Sequence, residues 1–218
     1  MGIVELNQAL SQLTVTANVI LYGDAANENM AGLVAEEIAT HWNAGAATIK
    51  MNNFNYQVVF YITGTYDEFL TPIDIYENDN PLNNYFRVEE YSEIDISFVD
   101  GIGSNTGYFK LDNLLNNSTT AAHEFGHSMG LDHPEQLDIR GVGAPGMMYP
   151  RGTLVDAIFQ YDPAAAPATR GGTMNPTHRR VSRKDIEDLR LNRLDYDGSG
   201  RAVLGAFSSV WHAKHIRQ

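Results

Sequence analysis

His123-Glu124-Phe125-Gly126-His127-Ser128-Met129-Gly130-Leu131-Asp132-His133 is the stretch from which the rest of the chain can be read. His123 and His127 stand four residues apart in a run that holds no helix breaker except Gly126. On a helix, that spacing puts both imidazoles on one face, roughly 6 Å apart along the axis. This separation suits two ligands of a tetrahedral zinc ion, with nitrogen–metal distances of about 2.0–2.1 Å. Glu124 follows the first histidine and so projects to a neighbouring side, within reach of a metal-bound water but not of the metal. Gly130 tolerates the positive φ needed to end the helix in a sharp turn, and His133 then arrives on the open side as third ligand. The fourth position is left to water, as in a catalytic rather than a closed site. A bare His-Glu-x-x-His occurs on many surface helices. Gly130 and His133 at these distances make the pattern far more restrictive.

Composition narrows the chemistry. The 218 residues include no cysteine, so disulfides and thiolate ligands are excluded and any metal is held by His and carboxylates. A 43% apolar content fits one ordinary globular domain spanning 1–218. The net charge of −12 argues against a nucleic-acid partner. No apolar run is long enough for a bilayer, so no membrane partner is expected. Met1-Gly2-Ile3-Val4-Glu5 lacks the features of an export signal, while a mature form stripped of its leader would read the same. A secreted or delivered protein, and a monomer, are the expectations.

Around the motif the pattern is α+β. Leu13–Tyr22 reads as a strand closed by Gly23-Asp24. Met30, Leu33, Val34, Ile38, His41 and Trp42 give a helix one apolar stripe, ending near Asn43-Ala44-Gly45. Tyr56–Thr63 is apolar on both faces, which predicts a central strand. Residues 66–93, with Pro72, Pro81 and Asn78-Asp79-Asn80, read as a surface insertion holding one short strand at Tyr85–Val88. Ile94–Val99 alternates as a half-buried strand, and Gly107–Leu111 is a shorter one. Asn117-Ser118-Thr119-Thr120 offers N-cap chemistry for the histidine helix. Residues 134–181 hold no regular element. A last helix is predicted at Arg183–Leu194 with Ser182 as N-cap, and 195–218 form a C-terminal extension.

His-Glu-x-x-His-x-x-Gly-x-x-His is the signature of the metzincin peptidases, and Ala121–His133 most resembles their matrixin branch, the matrix metalloproteinases and bacterial relatives. Gly146-Met147-Met148-Tyr149-Pro150 strengthens the resemblance, because metzincins carry a methionine in a tight turn beneath the metal and Met-Tyr-Pro is the matrixin form. The resemblance implies a twisted mixed sheet with an early, an active-site and a C-terminal helix. It also implies one catalytic zinc on His123, His127 and His133, Glu124 as general base, and Met148 as a hydrophobic floor. Hydrolysis of a protein or peptide substrate by metal-activated water follows from it. The linker from His133 to Met148 is longer than usual for matrixins, which leaves open the reading Met147-x-Tyr149, with Tyr149 contacting the metal or transition state. The chain also lacks the propeptide cysteine that keeps matrixins latent. Pro150-Arg151-Gly152 resembles the segment that walls their pocket beside the scissile bond. Two other readings keep the motif: a delivered effector or toxin protease, and a non-proteolytic metal- or peptide-binding relative, which the intact Glu124 disfavours.

Elsewhere, Asp195-Tyr196-Asp197-Gly198-Ser199-Gly200 faintly resembles a calcium loop but lacks the third acid and the distal Glu, so a solvated turn is preferred to a calcium site. His212 and His215 read as an exposed terminal segment, His41 as a core-edge residue, and His178, between Thr177 and Arg179, as surface. Ser104–Phe109 is either a rim strand for an extended substrate or an ordinary core strand. The residues that bind substrate are not legible.

Overall fold

The computed structural model describes residues 1–115 and 118–216. The chain runs β1 (Gly2–Asn7), β2 (Gln12–Tyr22), α1 (Glu28–Ala44), β3 (Thr48–Met51), β4 (Phe54–Tyr66) and α2 (Pro72–Tyr76). It continues with β5 (Asn83–Glu89), β6 (Phe98–Val99), β7 (Thr106–Lys110), α3 (Leu111–Leu114), α4 (Thr120–Ser128), α5 (Arg183–Asp188) and β8 (Arg201–Leu204). The architecture is α+β, around one mixed sheet. Its main path is β3-β4-β2-β5-β7-β6, and β1 pairs with both β2 and β8. The β2–β4, β2–β5 and β5–β7 ladders are parallel, whereas β3 and β6 pair antiparallel at the two ends. No helix among the described residues is long and apolar enough to cross a membrane.

Alternation in β2 explains why the core forms where it does. Leu13, Val15, Ala17, Val19 and Leu21 are all buried on one face, as period-2 side-chain placement requires. The helix α1 lays Ala31, Val34, Ala35, Ile38 and Trp42 in the same core, and Leu33, expected on that stripe, is exposed instead. Asn27 caps α1 by accepting from Met30 N at 2.9 Å. From the far end of α1, Trp42 donates its indole N–H to the Ala122 carbonyl at 3.1 Å, tying the early helix to α4. Met147, Met148, Ile186 and Leu191 belong to the same cluster, so the turn after the motif and the last helix close one continuous core.

Five expectations need correction. The segment 66–93 is not all surface insertion: β5 lies inside the sheet between β2 and β7, with Asn84, Tyr85, Phe86 and Val88 buried. The short strand expected at Tyr85–Val88 is β5, and its polar start hid only its place inside the sheet, because Asn84 is satisfied in the interior by donating to the carbonyls of Met1, Asn18 and Leu82. The alternation at Ile94–Val99 yields a strand only at Phe98–Val99, since Asp95 takes φ 57 in a turn whose N–H returns to Ser92 O. β4 is interior to the sheet but buries only one face, leaving Tyr61 exposed. The last helix stops at Asp188, because Arg190 takes φ 50, and a separate 3-10 turn follows at Leu191–Arg193. The segment after 195 is no loose extension: β8 pairs with β1, and Trp211 stacks on Tyr22 at 4.8 Å. The strands β1, β3 and β8 have no counterpart in the sequence reading.

Candidate metal centre

The helix α4 carries the first two histidines, and all nine of its residues are buried. Its start departs from simple side-chain capping. Ser118 Oγ accepts from Thr120 N at 3.3 Å, while Thr119 turns left-handed (φ 58) and donates its hydroxyl to Pro176 O at 2.8 Å. Asn117, the other cap residue expected there, lies outside the described residues. A second acceptor comes from α1: the Glu37 carboxylate takes the Ala122 N–H at 3.3 Å. Burial pushes the Glu37 carboxyl up to about 7, against the opposing pull of the Ala122 and Ala121 N–H groups.

The other end of α4 closes as the sequence chemistry demands. Gly130 takes φ 101, its N–H bonds His127 O at 3.0 Å, and Leu131 N bonds Gly126 O at 3.1 Å. This paired pattern is the Schellman closure, which needs a residue free to adopt positive φ. The chain thereby doubles back and brings His133 over α4. His123 Nδ1 donates to Met147 O and His127 Nδ1 to Leu131 O, both at 2.7 Å. Each ring is therefore fixed in the tautomer that leaves its Nε2 lone pair pointing inward. The Nε2 atoms of His123 and His127 each stand 3.1 Å from His133 Nε2, and the ligand atoms of the three residues all lie within 4.8 Å of one another.

Ligands about 2.0–2.1 Å from a tetrahedral ion stand about 3.3 Å apart, so this trio fits a metal ion such as zinc. Burial holds all three imidazoles below their usual pKa, most strongly His123, which favours the neutral form that could bind a metal. Among the described residues it is the one group of three or more His or acidic side chains so convergent.

Met147 and Met148 are both buried in a turn closed by Tyr149 N to Gly146 O at 3.3 Å. Their parts differ. Met147 supplies the carbonyl that orients His123, whereas the Met148 thioether lies against Gly126, 2.3 Å from where a Cβ would stand. Tyr149 packs its ring on the small cluster of Ile139, Val155 and Met174 and is not among the residues lining the cavity.

That cavity, about 400 Å³, holds His123, Glu124, His127 and His133 on its floor. The segment Ile96–Val99 with Gly101 and Ile102 forms one wall, and Pro150 and Arg151 stand on another. The free edge beside the cavity is β6; β7 is paired on both sides by β5 and β6, so Ser104–Phe109 does not supply the rim. Burial raises the Glu124 carboxyl to about 8, and Arg179 and then Arg151 pull it back down. Arg179 is a buried member of this cavity that sequence reasoning missed. Its sequence neighbours, His178 and Arg180, are polar, and nothing in them marks it as buried. Its Nε donates to Tyr149 O at 2.8 Å, and burial pushes its own pKa down to about 10.

The other candidates lie elsewhere. Asp197 closes the turn 195–200 on itself by accepting from Ser199 N and Arg201 N at 2.8 and 2.9 Å. His212 is not an exposed terminal residue. Its Nε2 bonds Asp100 at 2.9 Å, and its ring meets Phe98 and Tyr108 edge-on. No protein-family model matches the chain, and no curated protein matches it either.

Proposed function

We propose that the chain is a zinc-dependent endopeptidase of the metzincin type, matrixin-like, that takes a protein or peptide substrate. The observation that carries this reading is the convergence of three Nε2 atoms with a buried carboxyl, Glu124, on the floor of one open cavity. Zinc held by His123, His127 and His133 would supply Lewis acidity and a bound water with its pKa lowered toward about 7. Glu124 sits next to His123 on α4 and is the one carboxyl on the cavity that is fully buried, where a charge-dependent proton transfer is least screened. The charge of a bound zinc would draw the raised pKa of Glu124 back down, so that its carboxylate would take a proton from the attacking water and pass it to the nitrogen of the departing amine. Met147 O and Leu131 O keep the two helix-borne rings in register throughout, and Met148 supports α4 from below. The free edge of β6 offers backbone groups to an extended peptide laid across the cavity.

The test separates metal binding from chemistry. Metal analysis of the purified chain is expected to give about one zinc per chain, lost together with casein hydrolysis on chelation. Glu124→Gln is expected to keep the zinc and to lose activity by about 10²–10⁴-fold. Undiminished hydrolysis in that variant would remove Glu124 from the mechanism, and zinc binding without any hydrolysis would favour a non-proteolytic relative.

A further inference from the structure

Two cations on the cavity have no part in holding a metal. Arg179 is 3% exposed, yet apart from Nε, which is given to Tyr149 O, its guanidinium nitrogens have no hydrogen-bond partner among the described residues. Arg151 is exposed and is steadied by donating from Nη2 to Asn113 Oδ1 at 3.1 Å, Asn113 being itself on the cavity wall. Among the described residues neither arginine has a carboxylate within 4 Å. Glu124 and Asp132, the two acids on the cavity, are therefore not ion-paired to them. Arginine keeps its charge at physiological pH; Glu124 compensates Arg179 through space without touching it, so a carboxylate entering the cavity would be the first anion in direct contact with the guanidinium. A planar guanidinium offers parallel N–H groups that match a carboxylate, and a second cation on the same wall adds attraction without competing for that geometry.

We propose that Arg179 and Arg151 form a carboxylate subsite beside the scissile bond. The chain then cleaves next to a carboxylate, supplied either by an acidic side chain or by the substrate's own C-terminus. This rests on the peptidase reading above and names the substrate class for that site.

The experiment uses the zinc-loaded full chain and internally quenched peptides that carry Asp, Glu, Asn or Gln at each position flanking one cleavable bond. Each peptide is made with a free and with an amidated C-terminus. Acidic peptides are expected to exceed their amide counterparts in kcat/KM by about tenfold or more, the size of one charge-assisted hydrogen bond. A preference that survives C-terminal amidation assigns the subsite to an acidic side chain. Rates that fall on C-terminal amidation by a similar factor for acidic and amide side chains alike assign it to the chain end. Arg151→Glu changes an exposed residue and is expected to fold; it should bring the acidic-to-amide ratio close to one or below. Arg179→Gln should do the same in protein that still holds zinc.

A second readout does not need turnover. Calorimetric binding of the same peptides to chelator-treated protein should favour the acidic member, and Arg151→Glu should erase the difference. Equal kcat/KM across acidic and amide side chains and across free and amidated termini would overturn the subsite, as would arginine variants that move the pH profile but leave the preference intact. If no peptide is cut although zinc is bound, the peptidase reading fails, and the binding comparison alone decides the subsite.

Discussion

Two groups of histidines lie in this molecule, and they do opposite things with the same ring. In His123 and His127, Nδ1 is held by a backbone carbonyl and Nε2 faces a common point shared with His133. In the second group, His212 Nε2 is taken by Asp100, while His215 lies flat on Tyr108 at 4.2 Å and accepts the Glu93 N–H at Nδ1. The first group leaves lone pairs converging. The second directs ring nitrogens to protein partners and clasps residues 212–215 onto β6 and β7. Proximity of histidines is therefore a poor guide to a ligand set, and the direction of the second nitrogen is a better one.

The largest expected effect tests that contrast directly. His127→Ala should weaken zinc binding by at least about 100-fold, more than loss of an outer-shell partner costs, while His212→Ala should retain about one zinc after dialysis against a weak chelator. A zinc deficit in His212→Ala would break the distinction.

Glu37 probes how the first group is held. Its carboxyl rests at about 7 in the folded chain against 4.5 ordinarily. Between those values the unfolded chain has lost the proton that the folded chain keeps, so rising pH favours unfolding. The contribution is complete below pH 4.5 and is lost as pH climbs through 7, at most about 3 kcal/mol. Glu37→Gln keeps an acceptor for the Ala122 N–H and should remove this slope, making the variant the more stable protein at pH 8 but not at pH 4. Urea denaturation at the two pH values measures it. Parallel slopes in both proteins would dismiss Glu37 as the buried titrating group.

Gly126→Ala should cost about 1–3 kcal/mol, because the new methyl meets the Met148 sulfur with Trp42 close behind. Combining it with Met148→Ala should recover part of that loss. Additive losses in thermal melts would show that Met148 does not pack where the contact implies. Smallest of all, His212→Ala should cost about 1 kcal/mol through the Asp100 hydrogen bond and expose the C-terminal segment to limited proteolysis. An unchanged cleavage pattern would mean the clasp is held by Trp211 on Tyr22 instead.

What could be read from the chain was what local chemistry encodes. The i, i+4 spacing of His123 and His127 and the φ requirement at Gly130 are properties of eleven consecutive residues. The strand Leu13–Tyr22 and the helix ending at Gly45 follow from runs long enough to show a period. The strands β3 and β8 are four residues each, too short to show a period, and their stability comes from a partner strand rather than from their own pattern. Ile94–Val99 and Arg183–Leu194 failed for a shared reason. In each a single residue, Asp95 or Arg190, takes positive φ and ends the element; Asp adopts that conformation more readily than Arg, but neither run marks where it would.

The sequence by itself therefore determined the three histidines that converge, their spacing and the turn that returns His133, since those depend on contacts within one or two helical turns. Tertiary structure alone decided that Met147 O aligns the His123 ring, that Met148 fills the space over Gly126, and that Arg179 and Arg151 stand on the cavity with Glu124. Those residues lie 22 to 55 positions from the groups they meet, and at that separation only the folded core, not any local period, fixes which side chains share a wall.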